Sequence, residues 1–431
     1  MLKNDKKLDR ADIISAWRLC MGCGACKWAC PNDAITLKNI VNHGIRPFVD
    51  ESKCEKCGKC AEICPGLSLE HEEFSNETLK ALQQGWGPIL DLHEAYATDD
   101  SIRFAGSSGG VATAMSLYAI EEAGFSGVLH TKADPDDPIC NISTLSTNRE
   151  ELLQTTGSRY APAAPCQAFD LLKTVDGPCM FVGKPCDCAA LRKACKIDND
   201  LKEKVALVVS IFCAGTPTTA GTLAMLNSMG VSDPDQIKSL RYRGNGWPGM
   251  TTVEFANAAG KPANSFSMTY DDAWGGILSK HGQLRCRLCP DSTGEFADIS
   301  CGDPWYRETE GDPGRSLILL RTKKGADFYE HGCLSNYIKS EKAEPDTLPA
   351  SQKSVFQRRC QIHARLKAIR MFNIPAPNYT GFDLKNNWKS SSFKVKWKTY
   401  LSTIKRCLFR NWRKQQTYDG QTTRKLGLPD G

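Results

Sequence analysis

Hydrophobic and polar positions divide the chain into three regimes. The first 70 or so residues are set apart by two runs of closely spaced cysteines. From Ala95 a repeating order sets in: short apolar run, glycine-rich turn, longer apolar run. Ala95–Thr98 reads as a first strand and Val111–Ala123 as a helix after the turn Ser107-Ser108-Gly109-Gly110. Gly127–Thr131 and Pro178–Val182 read as strands, the latter followed by a helix from Ala189. Val205–Phe212 is almost unbroken apolar, as in a strand buried on both faces. In the third regime Phe393, Trp397, Tyr400, Leu401, Ile404 and Leu408 recur at helical spacing among lysines and arginines.

Composition sharpens this picture at one point. Among 431 residues there are 21 cysteines. The opening Met1-Leu2-Lys3-Asn4-Asp5-Lys6-Lys7 lacks the apolar core of a signal peptide, and no stretch approaches the ~18 apolar residues of a membrane span. Thiols in such numbers in a chain of this kind read as metal ligands in a cytoplasmic protein. The net charge of +6 is unevenly spread: residues 361–431 hold fifteen Lys/Arg against Asp383, Asp419 and Asp430, which leaves about −6 on the first 360. Basic character therefore belongs to a tail, and a nucleic-acid function is not expected.

Cys20, Cys23, Cys26 and Cys30, followed by Pro31, form C-x2-C-x2-C-x3-C-P, and Cys54, Cys57, Cys60 and Cys64, followed by Pro65, repeat it 34 residues later. Three thiolates two residues apart wrap one face of a cubane, while the fourth cysteine reaches the other cluster. The spacing assigns Cys20, Cys23, Cys26 and Cys64 to one [4Fe-4S] cluster and Cys54, Cys57, Cys60 and Cys30 to a second. Zinc uses C-x2-C pairs as well, but the third cysteine and the C-P of each copy exceed a four-ligand zinc pattern.

Further cysteines follow predicted strands: Cys186 and Cys188 after Pro178–Val182, Cys213 at the end of Val205–Phe212, and the pair Cys286 and Cys289. Together they suggest a third cluster with dispersed ligands. The Ser107–Gly110 turn opens a helix, where free backbone N–H groups suit either a cofactor phosphate or an ordinary cap. Gly244-Asn245-Gly246-Trp247-Pro248-Gly249 satisfies G-x-G-x-x-G, yet Pro248 argues for a turn and against a dinucleotide site.

The segment from about Ala95 to Thr322 resembles the beta subunit of coenzyme F420 hydrogenases and dehydrogenases. The resemblance rests on Ser107–Gly110, Thr156-Gly157-Ser158-Arg159-Tyr160, Gly183-Lys184-Pro185-Cys186, Phe212–Pro217, Tyr242–Gly249, Arg285–Asp291 and Ala297–Asp303, in that order. It implies FAD and one more [4Fe-4S] cluster, with cluster ligands at Cys186, Cys213, Cys286 and Cys289, and Cys188 and Cys301 as neighbours only. It also implies flavin contacts at Ser107, Ser108, Gly109, Gly110, Thr156, Gly157, Ser158 and Tyr160, with Lys184 either beside the flavin or an ordinary turn lysine. No catalytic acid or base is assigned; His43, His93 and His281 have no partner visible in sequence.

The expected architecture is α+β. A ferredoxin-like module (1–75) precedes an α/β flavin-binding domain with a mixed sheet (90–355) and a basic helical extension (360–431). Glu70–Thr78 and Gly85-Trp86-Gly87-Pro88 read as a linker. The expected function is an iron–sulfur flavoprotein oxidoreductase, passing electrons between a two-electron donor or acceptor at FAD and the ferredoxin clusters. The other reading is an electron-transfer subunit feeding a separate partner protein. For the basic helix, packing against the protein's own core competes with contact to an anionic membrane or an acidic partner.

Overall fold

The computed structural model describes residues 7–71, 77–256, 262–308 and 311–424. Residues 1–6, part of the polar stretch Glu70–Thr78, and the last seven residues lie outside them. At the centre is an eight-stranded mixed sheet. Its order is Ile338–Lys342, Asp91–Ala97, Ser316–Leu320, Ile299–Gly302, Val205–Ile211, Cys179–Gly183, Gly127–Ala133 and Asn141–Ser146. The four strands from Ile299–Gly302 to Gly127–Ala133 run parallel, and every other pairing is antiparallel.

Sequence accounts for the parallel centre. Val205–Ile211 carries apolar side chains to both faces, and Ser316–Leu320 beside the parallel strands is buried at every position. Strands with this composition are stable only when both faces are covered. One face receives the helix Val111–Glu121, which places Ala114, Met115 and Leu117 against Met180, Val209 and Ile318. The other receives Pro165–Thr174 and the helix Pro185–Ala194, through Phe169, Phe181, Leu191 and Val208.

The cysteine-rich region forms the hairpin Ile35–Ile40 and Gly44–Val49 with short helices at Ala25–Trp28 and Lys59–Glu62. Each of these helices begins after a glycine at positive φ, Gly24 (92°) and Gly58 (78°), inside a C-x2-C turn. There a side chain is strained, and at Gly24 a Cβ would also stand 2.8 Å from the Gln167 backbone nitrogen. Two remote segments complete this region. Thr423–Arg424 adds a third, antiparallel strand to the hairpin, and Asn378–Thr380 pairs in parallel with Ser68–Glu70.

Two sequence expectations are corrected. Gly85–Pro88 is not an open linker: Lys80–Trp86 is a kinked helix, and Trp86 is buried against Leu82, Leu317 and Leu348. The helix expected from Ala189 starts at Pro185, where Asp187 accepts from the Lys184 backbone N–H (3.0 Å) and closes a capping box. G-x-G-x-x-G falls, as expected, in the turn between the strands Ile237–Arg241 and Thr251–Ala256. The basic helix runs from Phe393 to Phe409 and packs on Lys353–Met371, but by its Thr399, Thr403 and Cys407 face.

Candidate functional site

Each of the cysteine runs predicted from spacing gathers, and the fourth cysteine of each reaches the other group. Burial raises the Cys26 thiol well above its ordinary value, and Cys20, Cys23, Cys64 and Cys60 around it raise it further. Cys64 is pushed up to about 12 by burial and by Cys23 and Cys20. Cys60 is raised by burial and by Cys57, Cys30 and Cys54. Thiols that oppose one another's ionisation in this way are set for a cation, whose charge reverses the balance. Backbone N–H groups already point at the sulfurs, Gly22 at Cys20 (3.3 Å) and Ala34 at Cys30 (3.2 Å). Among the described residues no three His, Cys, Asp or Glu side chains close on a single metal ion. The sets are groupings of thiols rather than a one-ion cage.

A third group assembles from the sheet. Cys186 is the second residue of the helix Pro185–Ala194, Cys213 follows the strand Val205–Ile211, and Cys286 lies in the short helix Leu284–Arg287. Cys186 is raised by burial and by Asp187, with Cys213 and Cys289 adding. Burial and Cys286 push Cys213 up to about 11; burial, Asp291 and Cys286 push Cys289 up to about 12. Gly215 donates to the Cys213 sulfur (3.4 Å) and Thr216 to that of Cys286 (3.5 Å). Cys188 is fully buried in the core and Cys301 in a strand, so neither belongs to the group.

One side chain joins the third group to the first. Arg285, fully buried, donates to the carbonyls of Pro65 (3.0 Å) and Gly66 (3.2 Å), just after Cys64. Its guanidinium also faces Cys289, Cys286 and Cys186. On another side Cys166 donates its backbone N–H to the Cys23 carbonyl (2.9 Å), and its thiol, hydrogen-bonded to the Cys23 sulfur, lowers that thiol's pKa. The second group faces outward. Cys57 is exposed, and a small cavity of about 30 Å³ lies among Cys30, Cys54, Cys57 and Cys60.

A cavity of about 400 Å³ opens at the carboxyl ends of the parallel strands. This is the end at which open α/β sheets bind ligands, and the volume lies within the ~300–1,000 Å³ of cofactor sites. Its floor is Gly183–Lys184, Ile211–Cys213 and Cys301–Asp303, so Cys213 belongs both to the cavity and to the third thiol group. The two predicted turns meet here: the Ser107 hydroxyl accepts from the Ser158 N–H at 2.7 Å. Ser107, Ser108, Gly110, Gly157, Ser158, Tyr160 and Lys184 line the cavity, whereas Gly109 and Thr156 do not. Gly109 is spent on packing, since a Cβ there would stand 2.8 Å from the Arg315 Cα. The Lys184 ammonium is held by Asp187 at 2.6 Å and, although burial works against it, that carboxylate keeps it charged.

The opposite wall was not legible in the sequence. Arg243 makes a bidentate pair with Asp303 and lies over the rings of Tyr270 (4.9 Å) and Trp305 (5.0 Å). Trp305 stacks in turn on Tyr270 (5.3 Å) and Trp247 (5.7 Å), and Trp247 donates its indole N–H to Asp303. His130 also lines the cavity; burial pushes it down to about 4 and its Nε2 meets the Ser146 hydroxyl, which makes it a neutral wall residue near pH 7. His43, His93 and His281 stand elsewhere, the first two against Gln416 and Asp91.

With this geometry in place, comparison with known proteins gives a consistent result. Residues 92–169 match the model for the N-terminal part, and residues 178–346 that for the C-terminal part, of the coenzyme F420 hydrogenase/dehydrogenase beta subunit. Residues 19–66 match a 4Fe-4S dicluster domain. The beta subunit of coenzyme F420 hydrogenase from Methanosarcina barkeri is 25% identical over 60% of this chain and 84% of its own length. Coenzyme F420-dependent sulfite reductase from Methanocaldococcus jannaschii is 25% identical over 72% of this chain but only 45% of that longer protein. A chain of the F420-reducing [NiFe] hydrogenase complex from Methanosarcina barkeri shares the fold, with a TM-score of 0.52 at 21% identity over 67% of this chain and 95% of its own.

Proposed function

Since the chain belongs to the coenzyme F420 hydrogenase/dehydrogenase beta-subunit family and carries a 4Fe-4S dicluster domain ahead of it, we propose that it is an FAD-dependent electron-transfer oxidoreductase with three [4Fe-4S] clusters. The observation that carries this reading is the shared position of Cys213, at once in the wall of the large cavity and in a group of four thiols. A redox group in the cavity would then stand directly against a cluster.

The residues fit such a group. Backbone N–H groups of the Ser107–Gly110 turn, at the start of the helix Val111–Glu121, supply the anion-binding surface a dinucleotide phosphate needs, and the Ser158 N–H fixes that turn through the Ser107 hydroxyl. Lys184, kept charged by Asp187, presents a fixed positive charge to the cavity. The aromatic wall of Tyr270 and Trp305 offers flat apolar area for a ring system. Flavin, when bound, exchanges two electrons with one partner and single electrons with another. Cys186, Cys213, Cys286 and Cys289 would hold the cluster next to it; Cys20, Cys23, Cys26 and Cys64 the middle one; Cys54, Cys57, Cys60 and Cys30 the outermost. The exposed Cys57 marks where electrons meet a second protein.

A second reading has its own support, because several relatives are named as subunits. In that reading the chain serves a separate catalytic partner, and the lone chain would not turn over a small donor. Iron, sulfide and flavin content of anaerobically purified protein tests the composition. The expected result is about twelve irons and one FAD, falling by about four irons in Cys286→Ala. Eight irons without flavin, unchanged in Cys286→Ala, would overturn it. Flavin-linked reduction of a dye by the isolated chain separates the two readings.

A further inference from the structure

The helix Phe393–Phe409 presents three distinct faces. Thr399, Thr403 and Cys407 are buried and hold it against the body of the protein. Beside that face runs an apolar stripe turned to solvent: Phe393 is 75% exposed, Trp397 50%, Leu401 55% and Leu408 48%. Met371, 57% exposed at the end of the neighbouring helix, touches Tyr400 and extends it. The third face, next to the stripe, is a row of lysines, Lys394, Lys398 and Lys405. No acidic residue occurs between Asp383 and Asp419. Arg287 and Arg365 crowd Arg406 from adjoining elements, with Arg358 beside both, so positive charge continues across this side of the molecule.

An amphipathic helix normally turns its large apolar residues inward, and here small polar ones go inward instead. Aromatic and leucine side chains bordered by lysine are the composition that sits in a lipid interface, with rings at the acyl boundary and ammonium groups among anionic headgroups. None of the helices in the described residues is long and apolar enough to cross a bilayer, so the helix would lie along its surface. From this arrangement we infer that the stripe and its lysine row form a docking face for an anionic membrane surface. An acidic protein would satisfy the charges, but a continuous apolar stripe one helix long matches the flat, unspecific boundary of a bilayer better than a shaped partner.

The test uses the full chain, purified anaerobically with its iron, and vesicles of phosphatidylcholine alone or mixed with phosphatidylglycerol. Co-sedimentation is expected with the mixed vesicles and not with phosphatidylcholine alone. Two variants probe the two faces, K394E/K398E/K405E and W397S/L401S; all five positions are exposed, and unchanged iron content reports an intact fold. Each variant is expected to lower partitioning, the triple reversal by at least roughly a hundredfold. Absence of binding by the parent chain, including the case in which it captures only a soluble acidic protein, would overturn the inference. So would binding that W397S/L401S leaves unchanged, since that is charge adsorption without insertion.

Discussion

Removing Arg359 should destabilise the protein by several kcal/mol, and more as the pH rises. Arg359, from the helix Lys353–Met371, pairs with Glu295 and donates to the carbonyls of Pro290 (3.0 Å) and Phe382 (3.1 Å). His71, at the end of the cysteine-rich region, meets the other Glu295 oxygen at 2.8 Å. Burial alone would raise the Glu295 carboxyl; Arg359, His71 and Arg321 outweigh it and hold the group at about 2 instead of 4.5. At 1.36 kcal/mol per pH unit this is roughly 3 kcal/mol in favour of the charged form. Because the folded value is depressed, that stability is complete above about 4.5 and lost as pH falls toward 2, so Glu295 adds no slope to the parent's profile between about pH 5.5 and 7.5. In Arg359→Met the carboxylate is left buried without its main partner, at a cost of about 3–5 kcal/mol near neutral pH. Burial then governs, the folded value rises above the unfolded one, and stability declines as pH rises through it. Urea midpoints at fixed incubation time, read by tryptophan fluorescence on cluster-loaded protein, measure both effects. The double variant E295Q/R359M should recover about 2 kcal/mol and lose the pH slope, since no charge remains to strand. An R359M profile parallel to the parent's, or a double variant as weak as the single, would refute the reasoning.

Two further outcomes follow from the site. The crossing of the fourth cysteines predicts that Cys20→Ala/Cys64→Ala loses no more iron than Cys20→Ala, whereas Cys20→Ala/Cys30→Ala loses about twice as much; iron and sulfide assays with EPR of the reduced protein decide it. Arg285→Met withdraws a buried positive charge from beside Cys286 and Cys289, so the potential of the cluster proposed there should fall, on the order of 60 mV for a tenfold shift in a one-electron couple. An EPR-monitored redox titration that finds all potentials unmoved would show that Arg285 only ties the Pro65 loop in place.

What could be read in advance follows from how local the physics is. The ferredoxin spacing was legible because a cubane dictates the distance between ligands, and the chain supplies three of the four within seven residues. The parallel strands were legible because burial on both faces leaves an apolar run. The third thiol group was legible only in outline: cysteines after apolar runs suggested a cluster with dispersed ligands, but Cys186, Cys213 and Cys286 are brought together by strand order, and the family resemblance was needed to single them out. Arg285, Arg243 and Asp303 lie in motifs that carry the family resemblance, yet their roles, like that of Cys166, were not legible, since each acts through a partner remote in sequence. The basic helix shows the opposite failure. Its period was correct, yet period alone does not say which stripe is buried, and the structure turns the aromatic one outward.

The two-residue strand Thr423–Arg424 has a consequence for how the protein is made. It completes the hairpin sheet at Asn39 and Ile40, and Arg424 pins it to Asp137 and Asp235. The cluster-bearing region is therefore unfinished while most of the chain is still being translated. At ~5–20 residues per second the delay between the two partners is roughly 20 to 80 seconds. During that interval the hairpin between the two cysteine runs holds together as two strands, its outer edge at Asn39 and Ile40 unpaired.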